Sequence, residues 1–177
     1  MDRKGYIHVY MGHGKGKTTS SLGLAFRSVG AGHKVMMVQF LKNWDTSELN
    51  SIKMLGDNFQ IYRIESRKSF TYNLNKEQLN ILREEIKIEF EQAKKFIYHG
   101  NYDLVILDEV LGAIEGKFID EEMVLEVMKN KPYNLELVLT GRNASDKIIE
   151  CADLVSKIEK VKHYYDNGVI ARLGIEY

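Results

Sequence analysis

Cysteine and proline are nearly absent from this 177-residue chain, which has one of each, Cys151 and Pro132. A single cysteine excludes an internal disulfide and any thiol-rich metal site. The 25 basic residues are balanced by 25 acidic ones, so the chain as a whole is not a basic nucleic-acid binder. No run approaches the ~20 apolar residues of a membrane span, and nothing indicates a signal peptide. We expect one cytoplasmic domain over residues 1–177, with neither a membrane nor a nucleic-acid partner.

Strand-like and helix-like patterns alternate along the chain, which favours an α/β fold with a mainly parallel sheet. The expected strands are 5–11, 34–41, 59–64, 102–107 and 135–140, and the main expected helices are 17–30, 79–97 and 120–130. The middle helix has one apolar stripe at a 3.6-residue period, a capping box at Asn75 and Gln78, and Gly100 as a left-handed stop. Asn167-Gly168, between two β-like runs, predicts an antiparallel hairpin at the C-terminal edge.

A phosphate-binding loop is the clearest motif. It reads Gly12-His13-Gly14-Lys15-Gly16-Lys17-Thr18-Thr19 and lies between a predicted strand and a predicted helix. In this context backbone N–H groups turn inward around phosphate oxygens, and the helix N-terminus adds positive charge. We expect Lys17 to reach the outer phosphates, the Thr18 hydroxyl to ligate Mg²⁺, Lys15 to add a second cation and His13 to touch phosphate. Met11 stands where the usual motif has its first glycine, so the loop is a variant.

An acidic pair, Asp108-Glu109, closes another strand-like run. Ligands of parallel α/β sheets lie beyond the carboxyl ends of the strands, where this pair, the phosphate loop and Gly141-Arg142 would meet. An acidic strand end is the usual Mg²⁺ partner of a phosphate loop. The alternative is that Asp108 caps a helix and Glu109 is solvated. Arg142 is either a bidentate phosphate ligand or a surface charge, and Arg27 faces either the nucleotide or solvent.

Several longer stretches carry a family resemblance. They are GHGKGKTTSSLGLAFRSVGAGHKV (12–35), VQFLK (38–42), FTYN (70–73), LVILDE (104–109), LTGRN (139–143) and ADLVSKIEKVKHYYDNGVIARLGIEY (152–177). Together they resemble the P-loop type of ATP:cob(I)alamin (corrinoid) adenosyltransferases of bacterial cobalamin synthesis and salvage. That family's loop also lacks the first glycine. The sequence departs from the family at His13, usually Asn there, at Tyr72, often Trp, and in the stretch after Lys42.

The resemblance implies an α/β, RecA-like P-loop fold with helices on both faces of the sheet. It implies transfer of the 5′-deoxyadenosyl group of ATP to cobalt(I) of a reduced corrinoid, with release of triphosphate. Lys17, Thr18 and Glu109 would be catalytic, and Thr18, Asp108 and Glu109 would hold Mg²⁺. The whole loop, Thr19 included, and Arg27 would bind ATP, while Phe70 and Tyr72 would pack on the lower face of the corrin ring. The resemblance also implies a homodimer and an electron donor such as a flavoprotein.

Two other classes of function stay open at this point. A small P-loop ATPase or metabolite kinase would share the loop and release ADP instead of triphosphate. A non-catalytic protein that binds nucleotide or corrinoid would not need the full set of Lys17, Thr18 and Glu109.

Overall fold

The computed structural model describes residues 3–42, 45–64 and 74–177. In these ranges six strands form one sheet. They are β1 (Ile7–Met11), β2 (Val35–Gln39), β3 (Phe59–Tyr62), β4 (Leu104–Asp108), β5 (Glu136–Thr140) and β6 (Leu154–Lys157). The strand order is β3-β2-β4-β5-β1-β6, and every neighbouring pair is parallel. The middle strands β2, β4 and β5 read as near-continuous apolar runs because both of their faces are buried.

Helices cover both faces of this sheet. They are α1 (Lys17–Gly30), α2 (Glu48–Lys53), α3 (Lys76–His99), α4 (Val110–Glu115), α5 (Glu121–Asn130) and α6 (Asp146–Cys151). One apolar core lies between the sheet and α3 to α6, and a second lies between the sheet and α1 with α2. The mainly parallel sheet with helices on both faces is therefore confirmed. Within the described ranges, no helix combines the length and the apolar character needed to cross a membrane.

The hairpin predicted at the C-terminal edge is wrong. Gly168 does adopt the left-handed conformation, with φ of 81°, but it ends a 3₁₀ helix over Tyr164–Asn167. The described sheet ends instead at β6, which runs parallel to β1. An Asn-Gly pair favours positive φ in a helix cap as well as in a hairpin turn, so the pair alone does not distinguish the two structures.

The ends of α3 give one correct and one wrong prediction. The capping box is present, because Asn75 accepts from the N–H of Gln78 while the Gln78 side chain accepts from the N–H of Asn75. Gly100 does not adopt the left-handed conformation but is extended, with φ of −76°. A Cβ atom there would lie 2.4 Å from the Phe96 carbonyl oxygen and 2.6 Å from the Tyr102 ring, so close packing requires this glycine.

A buried carboxyl on α3 fixes the chain just after β3. Glu89 is 4% exposed, and its Oε1 accepts a hydrogen bond of 2.6 Å from the N–H of Ile64. Burial, the largest effect, and the charge of Glu85 raise the pKa of Glu89, and the hydrogen bond from Ile64 lowers it. The net result is a rise from 4.5 to about 7. The folded chain therefore keeps this carboxyl protonated at pH values where the unfolded chain has lost the proton.

We expect a pH-dependent stability from Glu89. Between pH 4.5 and about 7 the folded state binds more protons than the unfolded state, so the free energy of unfolding falls as the pH rises through this window. The fall is on the order of 3 kcal/mol. The check is the free energy of unfolding by denaturant, measured at several pH values between 4.5 and about 7. In Glu89→Gln the fall due to Glu89 should be absent. The control is Glu84→Gln, exposed on the same helix, which should show the same pH dependence of the free energy of unfolding as the wild type. The same pH dependence in Glu89→Gln would contradict the assignment to Glu89.

Candidate functional site

The predicted phosphate loop connects β1 to α1, as the motif requires. β1 ends at Met11, and α1 begins at Lys17 with Gly16 at its N-cap. Gly16 has φ of 122°, a backbone conformation that residues with side chains rarely adopt. The first turn of α1 has N–H groups without intrahelical acceptors, and the helix dipole places positive charge there. The start of α1 is therefore suited to bind a phosphate group.

Two of the glycine N–H groups are not available to phosphate. The N–H of Gly12 donates to the carbonyl oxygen of Arg142 at 2.8 Å, and the N–H of Gly14 donates to that of Ile158 at 2.8 Å. The expected inward turn of backbone N–H groups around phosphate therefore does not extend to Gly12 and Gly14. A Cβ atom on Gly12 would lie 2.3 Å from the Ile158 carbonyl oxygen. These two glycines therefore allow the close approach of the chain that follows β6.

Asp108 is the centre of a buried polar network. It is fully buried at the end of β4. Its Oδ1 accepts from the Thr18 hydroxyl at 3.0 Å and from the Thr140 hydroxyl at 2.7 Å, and its Oδ2 accepts from the Lys42 ammonium at 2.6 Å. The helix-cap alternative for Asp108 is wrong, because Glu109 holds the N-cap position of α4 and makes no side-chain cap hydrogen bond. The structure thus brings Thr18 and Asp108 together, as the sequence predicts.

Lys42 and Thr140 belong to this network but were not predicted. The Lys42 ammonium also lies 3.1 Å from the Thr18 hydroxyl oxygen. Leu41, just before it, has a positive φ of 59°, and Glu109 has a positive φ of 62° at the end of the neighbouring strand β4. Strained backbone of this kind is concentrated at functional sites. The sequence signals for Lys42 were its place just beyond the carboxyl end of a strand and its inclusion in the family stretch VQFLK, and neither indicated a contact with Asp108.

The two charged groups beside this network have shifted pKa values. Burial raises the pKa of Glu109 above 4.5, and the charge of Asp108 raises it further. Burial lowers the pKa of Lys17, while the charge of Glu109 opposes this effect. Lys17 donates to the Gly14 carbonyl oxygen at 2.9 Å. Both side chains are partly buried, so their charges act on a ligand through a less polar medium than water.

The other predicted phosphate ligands have more varied positions. Arg142 is exposed, and its charge acts on both Lys17 and Glu109, so it borders the site. His13 and Thr19 are exposed. Arg27 is exposed in the last turn of α1, about 14 Å along the helix from Thr18. The structure does not bring Arg27 to Thr18, and its contact with phosphate stays a prediction.

Lys15 lies against the C-terminal part of the chain. Its ammonium donates to the Tyr164 hydroxyl at 2.8 Å and to Glu176 at 2.8 Å, and Tyr164 also bonds Glu176. Hydrogen bonds from Arg172, Lys15 and Tyr164 hold the pKa of Glu176 well below its usual range. The role of Lys15 as a phosphate ligand therefore stays a prediction. Phe70 and Tyr72, the predicted corrin-packing pair, lie outside the described residues.

The side chains near Thr18 fit a magnesium ion. A hydroxyl and two carboxylates, from Thr18, Asp108 and Glu109, are the hard oxygen ligands that Mg²⁺ prefers. Gln39, paired with Asp108 across β2 and β4, is buried, and its Oε1 has no hydrogen-bond partner among the described residues. A Cβ atom on Gly112 would lie 2.9 Å from Glu109 Oε2, so this glycine leaves room for the carboxylate. In the described ranges no cluster of three or more His, Cys, Asp or Glu is present.

A parallel sheet, a Gly-rich loop leading into α1 and an acidic residue at the end of β4 define a P-loop nucleotide-binding protein. Among solved structures, the KaiC-like protein PH0186 from Pyrococcus horikoshii OT3 matches 88% of this chain and 73% of its own, with a TM-score of 0.51 and 14% identity. This likeness supports the RecA-like P-loop fold.

Sequence comparison identifies the family. The family described as ATP:corrinoid adenosyltransferase BtuR/CobO/CobP matches residues 3–177. The corrinoid adenosyltransferase of Escherichia coli K12 is 35% identical, with 99% of this chain and 87% of the relative covered. That of Sinorhizobium sp. is 36% identical, with 99% and 82% covered, and CobA of Salmonella typhimurium is 32% identical, with 99% and 87% covered. The chain belongs to the ATP:corrinoid adenosyltransferase family.

Proposed function

We propose that this chain, as one domain, transfers the 5′-deoxyadenosyl group of ATP to cobalt(I) of a reduced corrinoid and releases triphosphate. The observation that carries this proposal is the junction of the phosphate loop with the end of β4, where the Thr18 hydroxyl donates to Asp108 at 3.0 Å. Family membership supplies the reaction. In that reaction cobalt attacks C5′ of the ribose, a Co–C bond forms, and the electron pair of the broken C5′–O bond leaves with triphosphate.

The chain's own part in this reaction is electrostatic. Cobalt(I) is already a strong nucleophile, so no side chain has to remove a proton. The leaving triphosphate gains negative charge, and fixed cations that meet it lower the barrier. Lys17, Lys42 and Arg142 surround the junction of the loop with the acidic pair. Hydrogen bonds hold Lys17 and Lys42 in position before the nucleotide arrives, so little reorganisation of these two cations is needed during the reaction.

Mg²⁺ is part of this proposal, with Thr18, Asp108 and Glu109 as its protein ligands. The ion would supply positive charge to the phosphate oxygens. Lys42 now compensates the buried charge of Asp108, with its ammonium against the same Thr18 and Asp108 oxygens. Mg²⁺ held there would share with Lys42 the neutralisation of the Asp108 charge.

The partners and the location also belong to the proposal. We infer a homodimer and an electron donor, such as a flavoprotein, that reduces the corrinoid. We place the protein in the cytoplasm, where ATP is available and a single unpaired cysteine stays reduced. Phe70 and Tyr72 are the proposed contacts with the lower face of the corrin ring.

An anaerobic assay tests the reaction. Chemically reduced cobalamin, ATP and Mg²⁺ are mixed with the protein, the visible spectrum is followed and the phosphate product is identified. We expect a light-sensitive alkylcobalamin and one triphosphate per product, and no product when ADP replaces ATP. Release of ADP and phosphate without a spectral change would assign the protein to the ATPases or kinases. Binding of ATP and corrinoid without turnover would assign it to the binding proteins.

A further inference from the structure

The C-terminal part of the chain lies against the phosphate loop. The Lys15 ammonium donates to the Tyr164 hydroxyl and to Glu176 Oε1, each at 2.8 Å, although these partners are 149 and 161 residues away in sequence. Next to Lys15, the N–H of Gly14 donates to the Ile158 carbonyl oxygen at 2.8 Å. Two adjacent loop residues, one through its backbone and one through its side chain, are therefore held by a distant segment.

Glu176 is the centre of this contact. Its Oε1 accepts from Lys15, from the Tyr164 hydroxyl and from the Arg172 guanidinium at 3.2 Å. Its Oε2 accepts from the backbone N–H of Arg172 at 2.8 Å and from Arg172 Nε at 3.2 Å. The guanidinium also lies over the Tyr164 ring, 4.8 Å from its centroid. The Glu176 side chain is only 16% exposed, so these bonds hold the carboxylate in one place.

Arg172 compensates the Glu176 carboxylate without help from Lys15. Three hydrogen bonds join Arg172 to Glu176, so the Lys15 charge is not consumed in neutralising this acid. The two cations and one carboxylate of the cluster leave one positive charge in excess. The bonds to Glu176 and Tyr164 raise the pKa of Lys15, which keeps its ammonium charged. On balance the cluster therefore attracts an anion.

The Lys15 ammonium can accommodate a further acceptor. An ammonium has three N–H donors, and in the part of the chain that the structure describes two of them have acceptors. The Lys15 side chain is 38% exposed, so a ligand can approach it. A free lysine side chain loses rotamer freedom when it binds a phosphate, whereas one that is already held does not.

We propose that Glu176, assisted by Tyr164, is a positioning residue that holds the Lys15 ammonium ready for a phosphate group of the nucleotide. This inference rests on the nucleotide site of the proposed function and deepens it, because it names the residues that orient one of the phosphate contacts. Glu176 acts on the nucleotide only through Lys15. Its bond to Lys15 stays intact when the nucleotide binds, since the third N–H of the ammonium makes the new contact.

The opposite role for Glu176 is competition, in which the carboxylate keeps Lys15 away from phosphate. Competition predicts that removing the carboxylate strengthens the binding of a polyphosphate, and the loss of one negative charge acts in the same direction. Positioning predicts weaker binding, because Lys15 has to be ordered by the ligand itself. The sign of the change in affinity therefore distinguishes the two roles.

Calorimetric titration with inorganic triphosphate and Mg²⁺ measures this contact without the reaction. We expect Glu176→Ala to bind triphosphate about three- to tenfold more weakly than the wild type. Glu176→Gln should recover part of this loss, because its amide oxygen still accepts from the ammonium. The control is Asp166→Asn, which removes one negative charge and an ion pair with Lys160 from the same segment and should keep the wild-type affinity. Equal or tighter binding in Glu176→Ala would overturn the proposal.

A double-mutant cycle shows whether Glu176 acts through Lys15. In a Lys15→Ala background, the further change Glu176→Ala should leave the triphosphate affinity unaltered. The same loss in both backgrounds would give Glu176 a general structural role and refute the positioning. Tyr164→Phe keeps the ring beside Arg172 and removes only the hydroxyl, so its weaker binding gives the same answer if Glu176→Ala does not fold.

The outcome for the wild type separates this inference from the reaction. A wild type that binds triphosphate but forms no alkylcobalamin from ATP would overturn the adenosyl transfer and leave the positioning of Lys15 intact. A wild type without affinity for triphosphate would overturn both.

Discussion

Replacing Lys17 by alanine is expected to lower the rate of ATP-dependent alkylation by about 10²- to 10³-fold. Lys17 opens α1 and its ammonium is partly buried between the Gly14 carbonyl oxygen and the charges of Glu109 and Arg142. Such a cation is placed before the nucleotide binds and meets the charge that grows on the leaving triphosphate. Single-turnover measurement of Co–C bond formation under anaerobic conditions checks the prediction, with ATP binding measured separately by calorimetry.

The matched control for this variant is Lys34→Ala. Lys34 is exposed just before β2, opposite the site. Its backbone N–H donates to Asp103, and its carbonyl oxygen accepts from the N–H groups of Asp103 and Leu104, so these bonds do not involve the side chain. This variant should keep the wild-type rate, and both variants should unfold at the wild-type denaturant concentration. Full activity in Lys17→Ala would show that the loop does not hold the phosphates of ATP.

Neutralising the two neighbouring acids should have opposite effects on stability. Glu109→Gln is expected to lower the rate about 10²-fold through loss of a Mg²⁺ ligand, while its free energy of unfolding stays equal or rises. Burial already disfavours the charged form of Glu109, which is why its pKa is raised. Asp108→Asn should show a similar loss of rate. It should also lose about 3 kcal/mol in free energy of unfolding, because the Lys42 ammonium, 2.6 Å from Asp108, loses its buried counter-charge.

Denaturant unfolding and Mg²⁺ titration of the two variants distinguish these roles. Glu115→Gln, an exposed acid on α4, serves as the control for removing one negative charge. A large loss of stability in Glu109→Gln together with a stable Asp108→Asn would reverse the assignment of the two acids.

The parts of the fold that depend on local pattern were predictable. The bounds of α1 agree with the prediction at both ends, and the capping box of α3 is present. The proximity of the phosphate loop, with Thr18, to Asp108 was predictable because the carboxyl ends of parallel strands lie at one edge of the sheet. These inferences need only periodicity, turn chemistry and the rule for parallel sheets.

What the sequence did not reveal depends on contacts between distant residues. Lys42 reaches Asp108 because Leu41 turns left-handed after β2 and β2 lies beside β4. No local signal indicates that the N–H of Gly14 meets Ile158, or that Lys15 turns away toward Glu176. The hairpin failed for the same reason, because a turn sequence fixes a local conformation and leaves the strand partner undetermined.

The position of β1 in the sheet has a consequence for synthesis on the ribosome. β1 is made first, yet both of its neighbours, β5 and β6, come from the last third of the chain. The carbonyl oxygens that accept from the N–H groups of Gly12 and Gly14 belong to Arg142 and Ile158, which are synthesised after most of the sheet. A nascent chain can therefore pair β2, β3 and β4 before either neighbour of β1 has been synthesised. The nucleotide site is completed only after the C-terminal strand has emerged, which makes ATP binding a late event in the folding of this chain.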